Sequence, residues 1–525
     1  VSGSNADAFL APVAAFAQTA LAACEDRFGA DPTPLLANGI DPRTRRPAFL
    51  PAGADVGEGI LISNLANQLN FLRVLDGLSA LTGDAAPRER ALAICRFALR
   101  RNRRRGMLLW GNHAAVDLRT QRPVFLSIKG KVHELKSHYP PYDLLWQADA
   151  AALEDAIACH WHGHMYDWAR LDFSRHGRMD LPDYRLPADP WGAPYAGGDP
   201  FFIGGGLTFL NAGSDLYYAA ATLARLSGRP GPMEWALRLL RRYEATRHPR
   251  TGMGGYTFSC IFDKTDPERK RNGDRAHVQF RDQFPEHTPL EGSLSTGGAI
   301  WTIIGRSALC RLQLARELGV EHGAPFARSA AADLLAYGRS CYEPAANLFH
   351  PTFTDGFRLT GQTMAQDGYY GRAGTRFAPV AADELLLWSH LTAWRACRDA
   401  QLWHTARSIA RHRGIGDIGA SPGDAPRLAT DPPGTPEGCF ALLELEREFP
   451  GVGYLAGAVE QAHRLLRDRF RDGWLISAPD AFISLDAPEP IALLHVAAHL
   501  AGKPDAAPPY CSNAALSPAE GWSRE

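Results

Sequence analysis

The chain has 525 residues, 45% of them apolar and 22% charged, with a formal net charge of −1. These proportions belong to a folded protein with a sizeable core and exclude a low-complexity chain. A charge so close to zero gives no global basic field for nucleic acid or an anionic membrane, so an acidic ligand must be met by a local patch.

Nine cysteines, at 24, 95, 159, 260, 310, 341, 397, 439 and 511, are scattered and include no CxxC pair. That pattern argues for reduced thiols, and so for the cytoplasm ahead of the periplasm. No run of about eighteen apolar residues occurs, so no membrane-spanning helix is expected. The opening "VSGSNADAF" lacks the charged and apolar regions of a signal peptide. Residues 1–8 are therefore read as a flexible or vector-derived start, or as the stub left after processing.

In chain order, apolar periodicity predicts helices over 8–27, 60–81 and 87–102. The last ends in Arg100, Arg101, Arg103, Arg104 and Arg105, a basic helix end favoured by the helix dipole rather than a nucleic-acid patch. The stretch 103–148 reads as a long active-site loop. It holds "WGNHAAVD" with His113 and "HELKSHYPPYDLLW" with His133, Glu134, Lys136 and His138.

A helix over 149–169 carries "CHWHGH". Its His160 and His164 are an i,i+4 pair that can chelate a metal. The apolar stripe of Leu153, Ile157, Trp161, Met165 and Trp168 explains them equally as polar members of a packed face. The region 170–210 is a second active-site loop, with Arg175, His176 and Arg178 in "LDFSRHGRMD". Its "FFIGGGLTFL" lacks the strand–GxGxxG–helix context of a phosphate cradle.

From about Asp215 the chain reads as helical hairpins. "NAGSDLYYAAATLARLSGRPGPMEWALRLLRRYEATRHPRTG" predicts a helix, a Gly/Pro turn at 228–232 and a second helix ending near His248. The same grammar returns in "CFALLELEREFPGVGYLAGAVEQAHRLLRDRFRDGWLI". Further helices are predicted over 297–318, 325–341, 381–399, 401–412 and 489–501, with extended pieces at "FLSIKGKVHEL" and "LFHPTFTDGF". Six or seven hairpins without alternating strands predict a mainly α fold, an (α/α) toroid with small β excursions, forming one catalytic domain over 1–525. An open helical solenoid is the structural alternative.

Two imidazoles and a carboxylate, His113, Glu134 and His176, are a normal ligand set for a divalent first-row metal with positions left for water or substrate oxygens. Their wide spacing is no local chelate, and each histidine can equally serve a loop hydrogen bond. His133 and His138 remain substitute ligands. Arg175, beside His176, reads on chemistry alone as a permanent cation gripping a carboxylate.

The stretch from His113 to Asp180 resembles polysaccharide lyase family 2, the pectate lyases built on an α/α toroid. "NAGSDLYYAA", "GDRAHVQF", "FTDGFRLTG" and "DGYYGRAGT" also look like motifs of this group, so the resemblance spans roughly 60–510. In that family two histidines and a glutamate hold the metal, and the arginine just before the second histidine is the base. The resemblance thus implies His113, Glu134 and His176 as ligands and Arg175 as catalytic base. It further implies β-elimination of a uronic-acid glycan such as oligogalacturonate or pectate, for which the histidines favour Mn²⁺, with Zn²⁺, Co²⁺ or Ni²⁺ as substitutes.

Lys136, Arg178 and Arg275 are candidates for pairing with uronate carboxylates, and Tyr369 and Tyr370 for stacking on sugar faces. Each has a bland alternative as a surface cation or loop anchor. The expected partner is an acidic oligosaccharide, with no nucleic acid or membrane, and the chain is expected to be a monomer or homodimer. Two other readings compete. One is a toroidal glycoside hydrolase acting on unsaturated uronyl groups, using carboxylates such as Asp215, Asp274 and Asp355. The other is a non-catalytic helical-repeat binding protein.

Overall fold

The computed structural model describes residues 3–50, 59–126, 133–177, 186–198, 208–255, 258–262, 270–273, 279–287, 294–295, 297–368, 370–476, 483–511 and 522–524. Its contacts divide into two compact units. The first comprises Val1–Gly163, His176–Leu186 and Leu428–Glu525; the second comprises His164–Arg175 and Pro187–Arg427. As expected from the sequence, the chain is mainly α and assembled from paired helices.

In the first unit, α1 (Gly3–Cys24), α2 (Leu69–Thr82), α3 (Ala86–Arg101), α4 (Tyr142–Ala148) and α5 (Ala150–His164) come from the N-terminal part, α5 reaching the unit's edge at Gly163. The second unit holds α6 (Leu210–Ser227), α7 (Pro230–Glu244), α8 (Gly297–Cys341), α9 (Glu384–Cys397) and α10 (Ala400–His412). The chain then returns to the first unit with α11 (Pro436–Glu448), α12 (Tyr454–Arg469) and α13 (Glu489–Leu500).

Sequential pairing dominates both units: α2 packs on α3 and α11 on α12 in the first, and α6 on α7 and α9 on α10 in the second. The first unit is tied across its chain ends, because α1 packs on both α13 and α2. One stripe of α1, Phe9, Val13, Phe16, Ala17, Ala20 and Cys24, is buried, at the three-and-four spacing of a packed face. Its segment Asn5–Cys24 is also long and apolar enough to cross a membrane by length and composition. The opening is thus more apolar than its first nine residues suggest.

Local chemistry sets the helix ends. Asp383, Asp399 and Thr435 accept hydrogen bonds from the backbone N–H groups of Leu386, Gln401 and Gly438 at the starts of α9, α10 and α11. Pro230 opens α7, and Gly228, at φ 73°, closes α6 in the left-handed region that glycine enters without strain. The break expected between 318 and 325 is a kink at Gly319 inside α8.

Four expected boundaries move, the first being the helix drawn over 8–27, which runs Gly3–Cys24, so residues 3–8 of the supposed flexible start are helical. The helix drawn over 60–81 begins only at Leu69, because Ile62–Ser63 is a strand and Leu65–Asn67 a 3-10 turn; short apolar runs carry no decisive period. The helix drawn to 169 ends at His164, where Met165–Asp167 turns back on Asp172–Phe173 as a hairpin. Within the expected loop 103–148, Tyr142–Ala148 is helical.

That same loop contains the sheet that frames the candidate site. Ala114–Asp117 pairs antiparallel with Ile62–Ser63 on one side and with Arg122–Leu126 on the other. Trp522–Arg524 then adds to the outer edge of Arg122–Leu126.

Candidate metal centre

His113 closes a 3-10 turn, Gly111–His113, and the strand Ala114–Asp117 follows without a gap. Glu134 reaches the turn through a backbone hydrogen bond to the Trp110 carbonyl at 3.3 Å, beside a parallel bridge between Trp110 and His133. On its other side Glu134 is the antiparallel bridge partner of His176, and the Gly177 N–H donates to the His133 carbonyl at 2.9 Å. Three segments remote in sequence thus meet through main-chain pairing, all within the first unit.

Gly111 makes the approach possible. At φ 81° it occupies the left-handed region, and a Cβ there would lie 2.7 Å from the Glu134 carbonyl oxygen and 2.8 Å from the Glu134 Cβ. Any side chain at 111 would push the turn off the glutamate.

The three side chains are all buried, His113 and His176 at 7% exposure and Glu134 at 2%. Nε2 of His113 lies 3.4 Å from Oε2 of Glu134, Nε2 of His176 lies 4.0 Å from Oε1, and the two imidazole rings are 5.2 Å apart. One ligand atom from each falls within 4.8 Å of the others. Metal–nitrogen and metal–oxygen bonds of about 2.0–2.2 Å place neighbouring donors about 3–4 Å apart, which is the spacing seen here. Neither ring nitrogen of His113 makes a hydrogen bond among the described residues, although both are buried. A buried imidazole with unused donors and acceptors beside a buried carboxylate is what a cation would satisfy. The group can hold a metal ion.

The rival histidines make other contacts. His133 packs ring to ring with His160 at 4.4 Å, and His138 lies edge-on to Trp110 at 5.5 Å. In the second unit, Nδ1 of His164 is 2.6 Å from the Ser174 carbonyl oxygen. Among the described residues only His113, Glu134 and His176 form a group of metal-binding geometry. His160 and His164 of "CHWHGH" are both buried.

Arg175 falls in the second unit, one residue before His176 opens the return to the first. Its guanidinium lies over the Phe209 ring, 5.2 Å from the centroid. Lys136 is half-buried, and its backbone N–H donates to Nδ1 of His138 at 3.3 Å. Tyr370 packs against Phe280 in an aromatic cluster with Phe353, Phe377 and Met364. Arg178, Arg275 and Tyr369 lie outside the described residues, as does Asp274. Of the other carboxylates weighed for hydrolysis, Asp215 is buried within α6, and Asp355 is held by Nδ1 of His287 at 2.6 Å.

Sequence reading passed over Asn64 and Gly111. The signal for Asn64 was present: "ILISNLANQLNFL" sets several amides in an apolar run, and Asn64, Asn67, Gln68 and Asn70 are all buried. Buried amides need partners, and here they hold loops.

The family model described as "Periplasmic pectate lyase" matches residues 33–520. A pectate disaccharide-lyase from Dickeya dadantii (strain 3937) is 30% identical over 482 residues, covering 88% of this chain and 84% of the relative. Among solved structures, the chain is similar to a D-mannose isomerase at 11% identity and a TM-score of 0.43, covering 89% of this chain and 98% of that one. It is also similar to the α-1,2-mannosidase from Trichoderma reesei at 13% identity and a TM-score of 0.45, covering 88% and 84%.

The family's description agrees with a periplasmic setting and not with the cytoplasmic preference drawn from the cysteines. The physical reason lies in packing. Cys24, Cys341 and Cys439 are buried, and burial pushes their thiols up to about 12. Such thiols stay inert in either compartment.

Proposed function

The chain belongs to the periplasmic pectate lyase family, polysaccharide lyase family 2, a family of enzymes acting on uronic-acid glycans, and on that premise we propose that it cleaves oligogalacturonate or pectate by metal-dependent β-elimination with Arg175 as base. The single observation that carries the metal half of the reading is the buried donor set of His113, Glu134 and His176. Two imidazoles and one carboxylate suit a borderline divalent ion, and Mn²⁺ is the assignment, with Zn²⁺, Co²⁺ or Ni²⁺ as substitutes. The proposed setting is the periplasm.

β-Elimination removes the proton on C5, alpha to the uronate carboxylate, and expels the glycosidic oxygen on C4. The difficulty is charge that develops on the carboxylate as the proton leaves. A bound divalent cation supplies Lewis-acid stabilisation of that charge. His113, Glu134 and His176 are the residues that would hold the ion. Glu134 brings the only formal negative charge to the set, so with a divalent ion bound the site would keep a net positive charge for an acidic substrate.

Arg175 is assigned the C5 proton because it immediately precedes His176, which matches the family's order of arginine and histidine. An alternative role for the same residue, a fork gripping the carboxylate, follows from guanidinium geometry. Lys136, Arg178 and Arg275 are assigned to uronate carboxylates, and Tyr369 and Tyr370 to sugar faces.

The test is incubation with polygalacturonate and Mn²⁺, followed in the near ultraviolet for a conjugated 4,5-unsaturated product. Absorbance should rise with the metal and stop with a chelator. New reducing ends without unsaturation, unaffected by the chelator, would instead establish hydrolysis.

A further inference from the structure

We propose that Asn64 is a positioning residue of the metal centre, clamping the turn that presents His113; this rests on the metal reading above. Asn64 is 1% exposed and lies in the first unit between the strand Ile62–Ser63 and the 3-10 turn Leu65–Asn67. Its Nδ2 donates to two carbonyl oxygens, those of Gly111 and, at 2.7 Å, Ala114. These two carbonyls bracket His113. The amide has therefore spent both of its donors on the backbone on either side of one ligand.

The other half of the side chain fixes the clamp itself. Oδ1 accepts from the Ala66 N–H at 3.0 Å, and the Asn64 N–H donates to Oδ1 of Asn38 at 2.8 Å. Gln68 Nε2 donates to the same Asn38 oxygen at 2.8 Å. The side-chain amides of Asn64 and Asn38 are buried and have both their donors and acceptors paired, which fixes how the clamp is oriented. Through it the start of α2 is tied to the turn at 111–113. That turn already sits so close to Glu134 that a Cβ at Gly111 would not fit.

The consequence is specific. A ligand set drawn from three distant segments has no local chelate to enforce its geometry, so the His113–Glu134 separation depends on what holds each backbone. Asn64 holds the His113 side. It touches neither substrate nor metal, and acts only through the position of that imidazole.

Asn64→Asp isolates the clamp. The carboxylate can still accept from the Ala66 N–H, but it turns an oxygen toward two carbonyl oxygens and cannot donate. Mn²⁺ affinity of the full chain is measured by the electron paramagnetic resonance signal of free Mn²⁺, with the visible absorption of Co²⁺-loaded protein as a probe of ligand geometry. Asn64→Asp should lose Mn²⁺ affinity by roughly ten- to a hundredfold, the range for groups that orient ligands, and shift the Co²⁺ bands, with helicity by circular dichroism retained. If Asn64→Asp does not fold, Asn64→Ser, whose hydroxyl can donate to one carbonyl, carries the same comparison with a smaller loss.

His113→Ala serves as the control for the metal reading. Folded Asn64 variants with wild-type Mn²⁺ affinity and Co²⁺ spectrum, beside a His113→Ala that has lost both, overturn the clamp alone. Wild-type protein that binds Mn²⁺ no better than His113→Ala overturns the metal reading and the clamp with it.

Discussion

Glu134 and His176 are antiparallel bridge partners, and Nε2 of His176 lies 4.0 Å from Oε1 of Glu134. Main-chain pairing places the carboxylate against the second imidazole, while the first imidazole arrives from a separate turn. Glu134 is thus the hinge of the candidate site, since it faces both histidines.

Removing that hinge should empty the site. Glu134→Ala leaves two imidazoles, and a cation held by two neutral ligands is mostly water-bound. Metal analysis of purified Glu134→Ala should show little bound metal, with circular dichroism still helical because the change removes no backbone hydrogen bond. Full metal occupancy in this variant would remove the triad.

Gly111 gives a second, steric test. Gly111→Ala forces a non-glycine residue into φ 81° and drives its Cβ to 2.7 Å from the Glu134 carbonyl. The backbone conformation alone costs about 1–2 kcal/mol, and the clash adds to it. A lower melting temperature together with weaker metal binding is expected in calorimetry. Unchanged metal affinity would show that the approach of the turn to Glu134 does not matter to the site.

Arg175→Lys separates a base from a clamp. As base, Arg175 should lose most of kcat when replaced, on the order of 10²–10⁴-fold, because an ammonium places its nitrogen elsewhere. Metal content should stay near normal, since His176 is untouched. A near-normal kcat with a raised KM would assign Arg175 to carboxylate binding and leave the lyase reading standing.

Asp486 predicts a pH dependence of stability away from the site. It is buried in the first unit, and burial pushes its carboxyl up to about 8, against the lowering effects of the Asn70 N–H, which donates to Oδ1 at 2.7 Å, and of Arg73. With the folded value above the unfolded one, the folded state keeps a proton that the unfolded state has lost. The contribution of Asp486 to stability is therefore full below about pH 4 and is lost as pH rises toward 8. Asp486→Asn keeps an acceptor for Asn70 and cannot ionise, so its melting temperature should gain on the wild type across that interval. Parallel curves for the two proteins would mean that Asp486 is ionised in the fold.

Much of this was legible along the chain. Helical period, Asp and Thr caps, Gly228 and Pro230 act within one or two turns, so the hairpins 210–244 and 436–469 could be read locally. The candidate ligands were legible as residue types, and the family resemblance supplied their grouping. Failures came where competing signals were equally local. Ile62–Ser63 is too short for its period to tell strand from helix, and the stripe through Trp168 runs past the point where the backbone turns at His164.

By itself, then, the sequence determined a mainly helical chain and a short roster of metal-capable side chains, because propensity, capping and ligand chemistry are properties of neighbours in the chain. Apart from the grouping that the resemblance implied, only the tertiary structure brings His113 and His176 against Glu134. His160 and His164 offered a local chelate at i,i+4 or a packed helix face; in the fold His160 packs on His133 and His164 bonds to Ser174. His113 and His176 reach Glu134 through bridges, a glycine that leaves room and an asparagine that holds the turn. Those are contacts between segments remote in sequence, and no local pattern encodes the distance between two backbones until both are packed.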